Sequence, residues 1–213
     1  MKNKTYFVSG IDTNVGKTIV TGIIAKEFMN QGVNIITQKM IQTGNVGYSE
    51  DIEAHRQLMG MEMTDADKSL LTAPCIRSYP CSPHLAARLD NEPIDINKID
   101  EATKKLEEEY ELVLLEGAGG IMVPITEDYL TIDFVAERDY PIILVTSGKL
   151  GSLNHTLLTL EAIKSRNLKL HSLIYNRYPA VDETIESDSL IFLQNWLTRH
   201  FSGSEFRVIE NQK

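Results

Sequence analysis

The sequence is poor in the features that mark several protein classes. Of its 213 residues only two are cysteines, Cys75 and Cys81. Five residues lie between them, which is not the usual zinc-ligand spacing, and they read as small buried or half-buried thiols. No long apolar run occurs. The N-terminal stretch Met1–Thr5 passes into Tyr6-Phe7-Val8, far too short for a signal core or a bilayer span. Positive charge is scarce as well: 21 Lys and Arg stand against 30 Asp and Glu, for a net charge of −9. Binding to nucleic acid or an anionic membrane draws on clustered cations, so neither partner is expected. Low-complexity linkers and internal repeats are also absent. The expectation is one cytoplasmic domain spanning residues 1–213, of ordinary globular composition at 42% hydrophobic and 24% charged residues.

What is present is an alternation of apolar runs with amphipathic stretches. Thr5–Ser9, Val33–Lys39, Leu112–Glu116, Ile142–Thr146 and Leu170–Asn176 read as strands. Between them, Thr18–Gln31 places Val20, Ile23, Ile24 and Phe28 on one helical face before Gly32 stops it. Further helices are expected at Pro83–Leu89 behind a Ser82 cap, at Asn97–Tyr110, at Leu153–Arg166 and at Asp188–His200 around Trp196. Strand and helix in alternation predict an α/β fold, a mostly parallel sheet flanked by helices on both faces.

The first strand ends in Gly10-Ile11-Asp12-Thr13-Asn14-Val15-Gly16-Lys17-Thr18, and a helix follows. A glycine-containing turn from strand to helix gathers backbone N–H groups and the positive helix end on one point, which suits phosphate. Gly16 permits close backbone approach, Lys17 reaches toward the β- and γ-phosphates, and the Thr18 hydroxyl suits Mg²⁺. Five residues separate Gly10 from Gly16 where the common phosphate loop has four. The pattern predicts a P-loop NTPase-like fold and a nucleoside triphosphate as ligand. It does not by itself choose among kinases, ligases, ATPases and switches.

Other segments fall at strand ends, where open parallel sheets bind ligands. Lys39 ends the second strand and Thr43-Gly44 follows. Glu116 sits at a strand tip, a suitable place for a Mg²⁺ ligand, and Gly117-Ala118-Gly119-Gly120 lets the chain pass close to a nucleotide. Asp51 lies in the first turn of a helix, and on local grounds it simply complements the helix dipole.

Taken in order, Gly10-x-Asp12-Thr13-x-Val15-Gly16-Lys17-Thr18, Lys39-x-x-x-Thr43-Gly44, Asp51, Ser82-Pro83-His84, Glu116–Gly120 and Lys149-Leu150-Gly151-x-x-Asn154-His155 resemble the dethiobiotin synthetase family across most of the chain. The longer phosphate loop is that family's normal form. The resemblance implies a homodimeric enzyme that joins CO₂ (or bicarbonate) to 7,8-diaminononanoate at the expense of ATP. It implies nucleotide contacts from Asn14, Val15, Gly16, Lys17, Thr18, Ile19, Glu116, Gly117, Ala118, Gly119 and Asn176. Substrate contacts would come from Thr13, Lys39, Thr43 and the stretch Gly151, Ser152, Leu153 and Asn154. Lys17 and Lys39 would be catalytic, and Thr18, Asp51 and Glu116 would form the Mg²⁺ set. Met40 replaces a usual proline, and Phe201–Lys213 lacks the Gly-x-x-Pro-like loop that often completes the adenine pocket. A nucleotide-driven switch of the chromosome-partition type is the competing reading. Ile11 and Asp12 stand where such proteins carry an extra loop lysine.

Overall fold

The computed structural model describes residues 3–178 and 182–210. Five apolar runs become strands: β1 (Thr5–Gly10), β2 (Ile35–Lys39), β5 (Leu112–Gly120), β6 (Ile142–Ser147) and β7 (Leu170–Asn176). They pair with an edge strand, β8 (Glu205–Ile209), in the order β2-β5-β1-β6-β7-β8. Every pairing is parallel. All residues of β2 and β6 are buried, as a sheet covered on both faces requires. A separate two-stranded parallel pair, β3 (Gln42–Thr43) with β4 (Ile76–Arg77), lies beyond the end of β2.

The longer helices are α1 (Lys17–Asn30), α2 (Glu50–Met59), α5 (Ile96–Glu109), α7 (Ser152–Ser165) and α8 (Glu183–His200). Short ones, α3 (Asp65–Lys68), α4 (Pro83–Leu89) and α6 (Thr131–Glu137), fill the connections. Ser49 caps α2 by accepting from Ile52 N, and Asp95 caps α5 through Lys98 N. The core runs along the central strands, where Phe7, Val8, Leu115, Leu144 and Val145 are wholly buried.

Three features depart from the sequence reading. First, β5 continues four residues past Glu116, pairing Gly120 with Gly10, so the glycine run is strand rather than loop. Second, α8 starts at Glu183, five residues before Asp188, because Asp182 caps it by accepting from Thr184 N and Ile185 N. Third, the C-terminal stretch contributes β8 as a sixth strand alongside β7. Residues 211–213 of that stretch lie outside the described residues.

Candidate active site

The strand order puts the C-terminal ends of β2, β5, β1, β6 and β7 side by side, and the site is built there. The turn from β1 into α1 is the phosphate loop. Asn14 takes a positive φ of 57° and Gly16 one of 88°, turning the chain so that Gly16 caps α1. Glycine is required at 16 for space as well as for φ, since a Cβ there would lie 2.1 Å from Asn176 Nδ2. Asn176 ends β7, and its amide donates to the Val15 carbonyl at 3.0 Å and accepts from Tyr178 N at 3.2 Å. Both polar atoms of this side chain hold a backbone partner, which braces the loop and leaves one N–H and one lone pair unused.

Lys17 is buried and folds back over the loop, its Nζ donating to the Asp12 carbonyl at 3.2 Å. Burial, and then repulsion from Lys39, push its pKa down to about 8. Lys39 has a different environment. Its Nζ sits 2.5 Å from Asp51 Oδ2 and 2.7 Å from Glu116 Oε1, and it also donates to the Gly117 carbonyl at 3.3 Å. Burial opposes its charge, but Glu116 and Asp51 more than offset that, so its pKa is raised. The fully buried Glu116 is held well below the usual carboxylate range. Burial alone would raise it, and the Lys39 charge and the hydrogen bond with His55 overcome that effect. The two lysines are therefore unlike: neighbouring carboxylates favour the charge on Lys39, whereas burial and Lys39 disfavour it on Lys17.

The Thr18 hydroxyl lies 2.8 Å from Asp51 Oδ1 and 3.3 Å from Glu116 Oε1. Thr18, Asp51 and Glu116 thus converge, although Asp51 reaches the cluster from the first turn of α2. Its dipole position and its place in the site are compatible. Among the described residues no group of three or more His, Cys, Asp and Glu side chains gathers as a metal cage. A hydroxyl with two carboxylates is nonetheless a hard oxygen set, and Mg²⁺ commonly takes one or two carboxylates with phosphates and water supplying the rest. The residues fit that ion.

A cavity of about 450 Å³ opens over this cluster, lined among others by Thr13, Asn14, Lys17, Ile19, Thr43 and Ala118. Gly119 also borders it. Gly117, within β5, does not border it, and a Cβ there would meet Phe7 Cζ at 2.7 Å. Gly151 and Ser152 line a second cavity of about 300 Å³ on the other side of the phosphate loop, with Asp12, Thr13 and His155. Leu153 is half-buried against the core and Asn154 is exposed, and neither borders either cavity.

Two features were missed in the sequence. Tyr178 borders the main cavity just past β7. Beneath the site, His55 and Arg56 are wholly buried and hydrogen-bond Thr37, while Arg56 pairs with Asp67. A signal for them existed: His55 and Arg56 share the α2 face of Ile52 and Met59, so two polar residues occupy core positions.

A parallel sheet with a glycine-bounded strand-to-helix turn, its lysine and its threonine defines a P-loop nucleotide-binding protein. The AAA_26 family model, an AAA domain, matches residues 4–200. The chain is 48% identical to the ATP-dependent dethiobiotin synthetase BioD 2 of Pasteurella multocida, over 97% of each chain. To the protein of the same name from Haemophilus ducreyi it is 49% identical, covering 98% of this chain and 99% of that one. The chain belongs to the dethiobiotin synthetase family. Among solved structures it is similar to a plasmid partition protein of Borrelia burgdorferi bound to AMPPNP, with a TM-score of 0.59 at 10% identity over 99% of this chain and 87% of that one. A ParA family ATPase from Chlorobium tepidum gives a TM-score of 0.54 at 16% identity, with 99% and 86% covered. At such identities the likeness is of fold alone, and it lends no weight to a partition switch.

Proposed function

We propose that the protein is an ATP-dependent ligase that carboxylates 7,8-diaminononanoate with CO₂ and closes the product to dethiobiotin, releasing ADP and phosphate. Family membership supports the reaction, and one observation supports its placement: two lysines in unlike surroundings and an oxygen cluster meet where the phosphate loop opens. One amine of the substrate adds to CO₂, losing a proton and becoming a carbamate. A carbamate oxygen then bonds the γ-phosphorus as the bond to ADP breaks. The second amine attacks the carbonyl carbon, phosphate leaves, and the ureido ring closes. Both amines sit on one short chain, so closure is effectively intramolecular.

The residues divide this work. Backbone N–H groups of Asn14–Ile19, with Lys17, bind the phosphates, Ala118 and Gly119 border the nucleotide, and Gly117 offers its carbonyl to Lys39. Asn176 supports the loop. Lys39 keeps its proton, so its charge offsets repulsion between the anionic carbamate and the anionic γ-phosphate. Thr13 and Thr43 offer hydroxyls to the carbamate. Thr18, Asp51 and Glu116 would hold Mg²⁺, which supplies charge neutralisation on the phosphates. Gly151, Ser152, Leu153 and Asn154 receive the substrate's carboxylate tail in a homodimer. On this reading Leu153 and Asn154 come into play through a second copy, consistent with their distance from the main cavity. The whole chain acts as one cytoplasmic P-loop domain, and no helix among the described residues is long and apolar enough to cross a membrane.

The test is phosphate release with diamine and bicarbonate each present and absent. Release that requires both is expected. Equal release without the diamine would remove the ligase reading.

A further inference from the structure

Glu116 has two carboxylate oxygens with separate partners. Oε1 faces Lys39 and Thr18, while Oε2 lies 3.0 Å from His55 Nε2. His55 is completely buried on α2, and its other nitrogen, Nδ1, lies 3.0 Å from Thr37 Oγ1 on β2. The same hydroxyl receives Arg56 Nη1 at 2.8 Å. A guanidinium only donates, so Thr37 accepts from Arg56, and an ionised carboxylate such as Glu116 only accepts. His55 Nε2 therefore carries the hydrogen of its contact with Glu116. Arg56 is itself fixed by a two-bond fork onto Asp67, at 2.9 and 2.8 Å, and Asp67 accepts from Thr72 at 2.6 Å.

We propose that His55 is a positioning residue: it pins Oε2 of Glu116 and so presents Oε1, at a fixed angle, to the nucleotide-side cluster of Lys39, Thr18 and Asp51. His55 touches no substrate in this arrangement. Its grip is set by a buried chain, Asp67–Arg56–Thr37–His55–Glu116, that runs from α3 to the strand tip. Hydrogen-bond partners behind a ligating carboxylate restrict its rotation and so sharpen cation binding. The inference rests on the reading of Thr18, Asp51 and Glu116 as the Mg²⁺ set.

The test compares wild type with His55→Leu, which keeps bulk without a donor, and His55→Gln, which returns an N–H near the Nε2 position. Calorimetry gives ADP affinity with Mg²⁺ and with chelator, and phosphate release gives the Mg²⁺ concentration for half-maximal rate. His55→Leu is expected to raise that concentration about tenfold and to lose most of the Mg²⁺-dependent gain in ADP affinity, leaving chelated ADP binding unchanged. His55→Gln is expected to recover to within about threefold of wild type. A purely structural role would instead lower both kinds of ADP binding together, and His55→Gln would be as impaired as His55→Leu. Either of those results, or a His55→Leu protein with wild-type Mg²⁺ response, overturns the inference. Should His55→Leu not fold, Thr37→Val, which removes the partner of His55 Nδ1 and so loosens the ring, carries the comparison. A rise of about threefold supports the inference and no change overturns it. The metal reading fails separately, in wild type alone, if ADP affinity there ignores Mg²⁺.

Discussion

Asn176 Nδ2 occupies the space a side chain at Gly16 would need, 2.1 Å from where that Cβ would stand, so the last residue of β7 and the phosphate loop fit only while position 16 is glycine. Gly16→Ala must both displace Asn176 and hold alanine at a φ of 88°. ADP affinity is expected to fall at least about 100-fold, equivalent to two charge-assisted hydrogen bonds at roughly 1.5 kcal/mol each. Calorimetry on the folded variant checks this.

Asn176 serves the loop from the other side. In Asn176→Ala the buried Val15 carbonyl loses its donor, at a cost of roughly 1–3 kcal/mol in stability, readable by urea unfolding. Each atom of the side-chain amide keeps one unused N–H or lone pair, enough for one contact to a base edge, and the usual second wall is not recognisable in Phe201–Lys213. Preference for ATP over GTP and CTP in kcat/KM is therefore expected to stay below about a thousandfold, or ~4 kcal/mol. A larger preference would mean that another segment closes around the base.

The lysines separate by pH. Lys17 titrates at about 8 in the folded protein against an ordinary 10.5, so between those values the unfolded chain holds more protons. Its charge therefore opposes folding below about 8, and stability from this group rises as pH climbs toward 10.5. Phosphate binding runs the other way, because it needs the charged form. ADP affinity is expected to be level up to about pH 7.5 and to fall by up to about tenfold per pH unit above 8, a dependence that Lys17→Met removes. Lys39, with its raised pKa, stays charged throughout that window. Lys39→Ala is expected to bind ADP within about threefold of wild type while losing turnover by about 100–1000-fold. Calorimetry from pH 7 to 9.5 and single-turnover rates test both.

Arg56 and Asp67 form an ion pair whose side chains are only 2% and 0% exposed. Removing one partner strands the other, so Arg56→Ala or Asp67→Ala is expected to cost about 3–5 kcal/mol. Denaturant midpoints decide it, and changes below ~1 kcal/mol would show that water reaches the pair.

The parts legible in the sequence share one physical property, which is that their signal is local. β6 is buried throughout and opens on the apolar run Ile142–Val145, β1 and β7 carry the apolar stretches Tyr6–Val8 and Leu173–Tyr175, and the phosphate loop is a contiguous string. β8 carries Glu205 and Arg207 on a half-exposed edge, so it lacks that run and was not recognisable. Asp51 is locally only an acid in a helix's first turn. The partners that draw it into the site, Thr18 and Lys39, lie 33 and 12 residues back, and the family pattern, rather than the helix, pointed to it. His55 has no local signature of function, because Glu116 is 61 positions away and only the sheet brings them together.

The all-parallel pairing of the six strands has a bearing on synthesis. No two strands consecutive in the sheet can be joined by a tight hairpin, so the sheet has no short-range pair from which to nucleate. A ribosome releases the phosphate loop early, yet its flank on β5 appears about a hundred residues later and its brace on β7 later still. Through that interval β1 and β2 present bare apolar faces, the condition in which nascent chains stick to one another or to chaperones. The nucleotide site exists only once β1, β5 and β7 have come together, so bound ATP stabilises the finished assembly and none of its precursors.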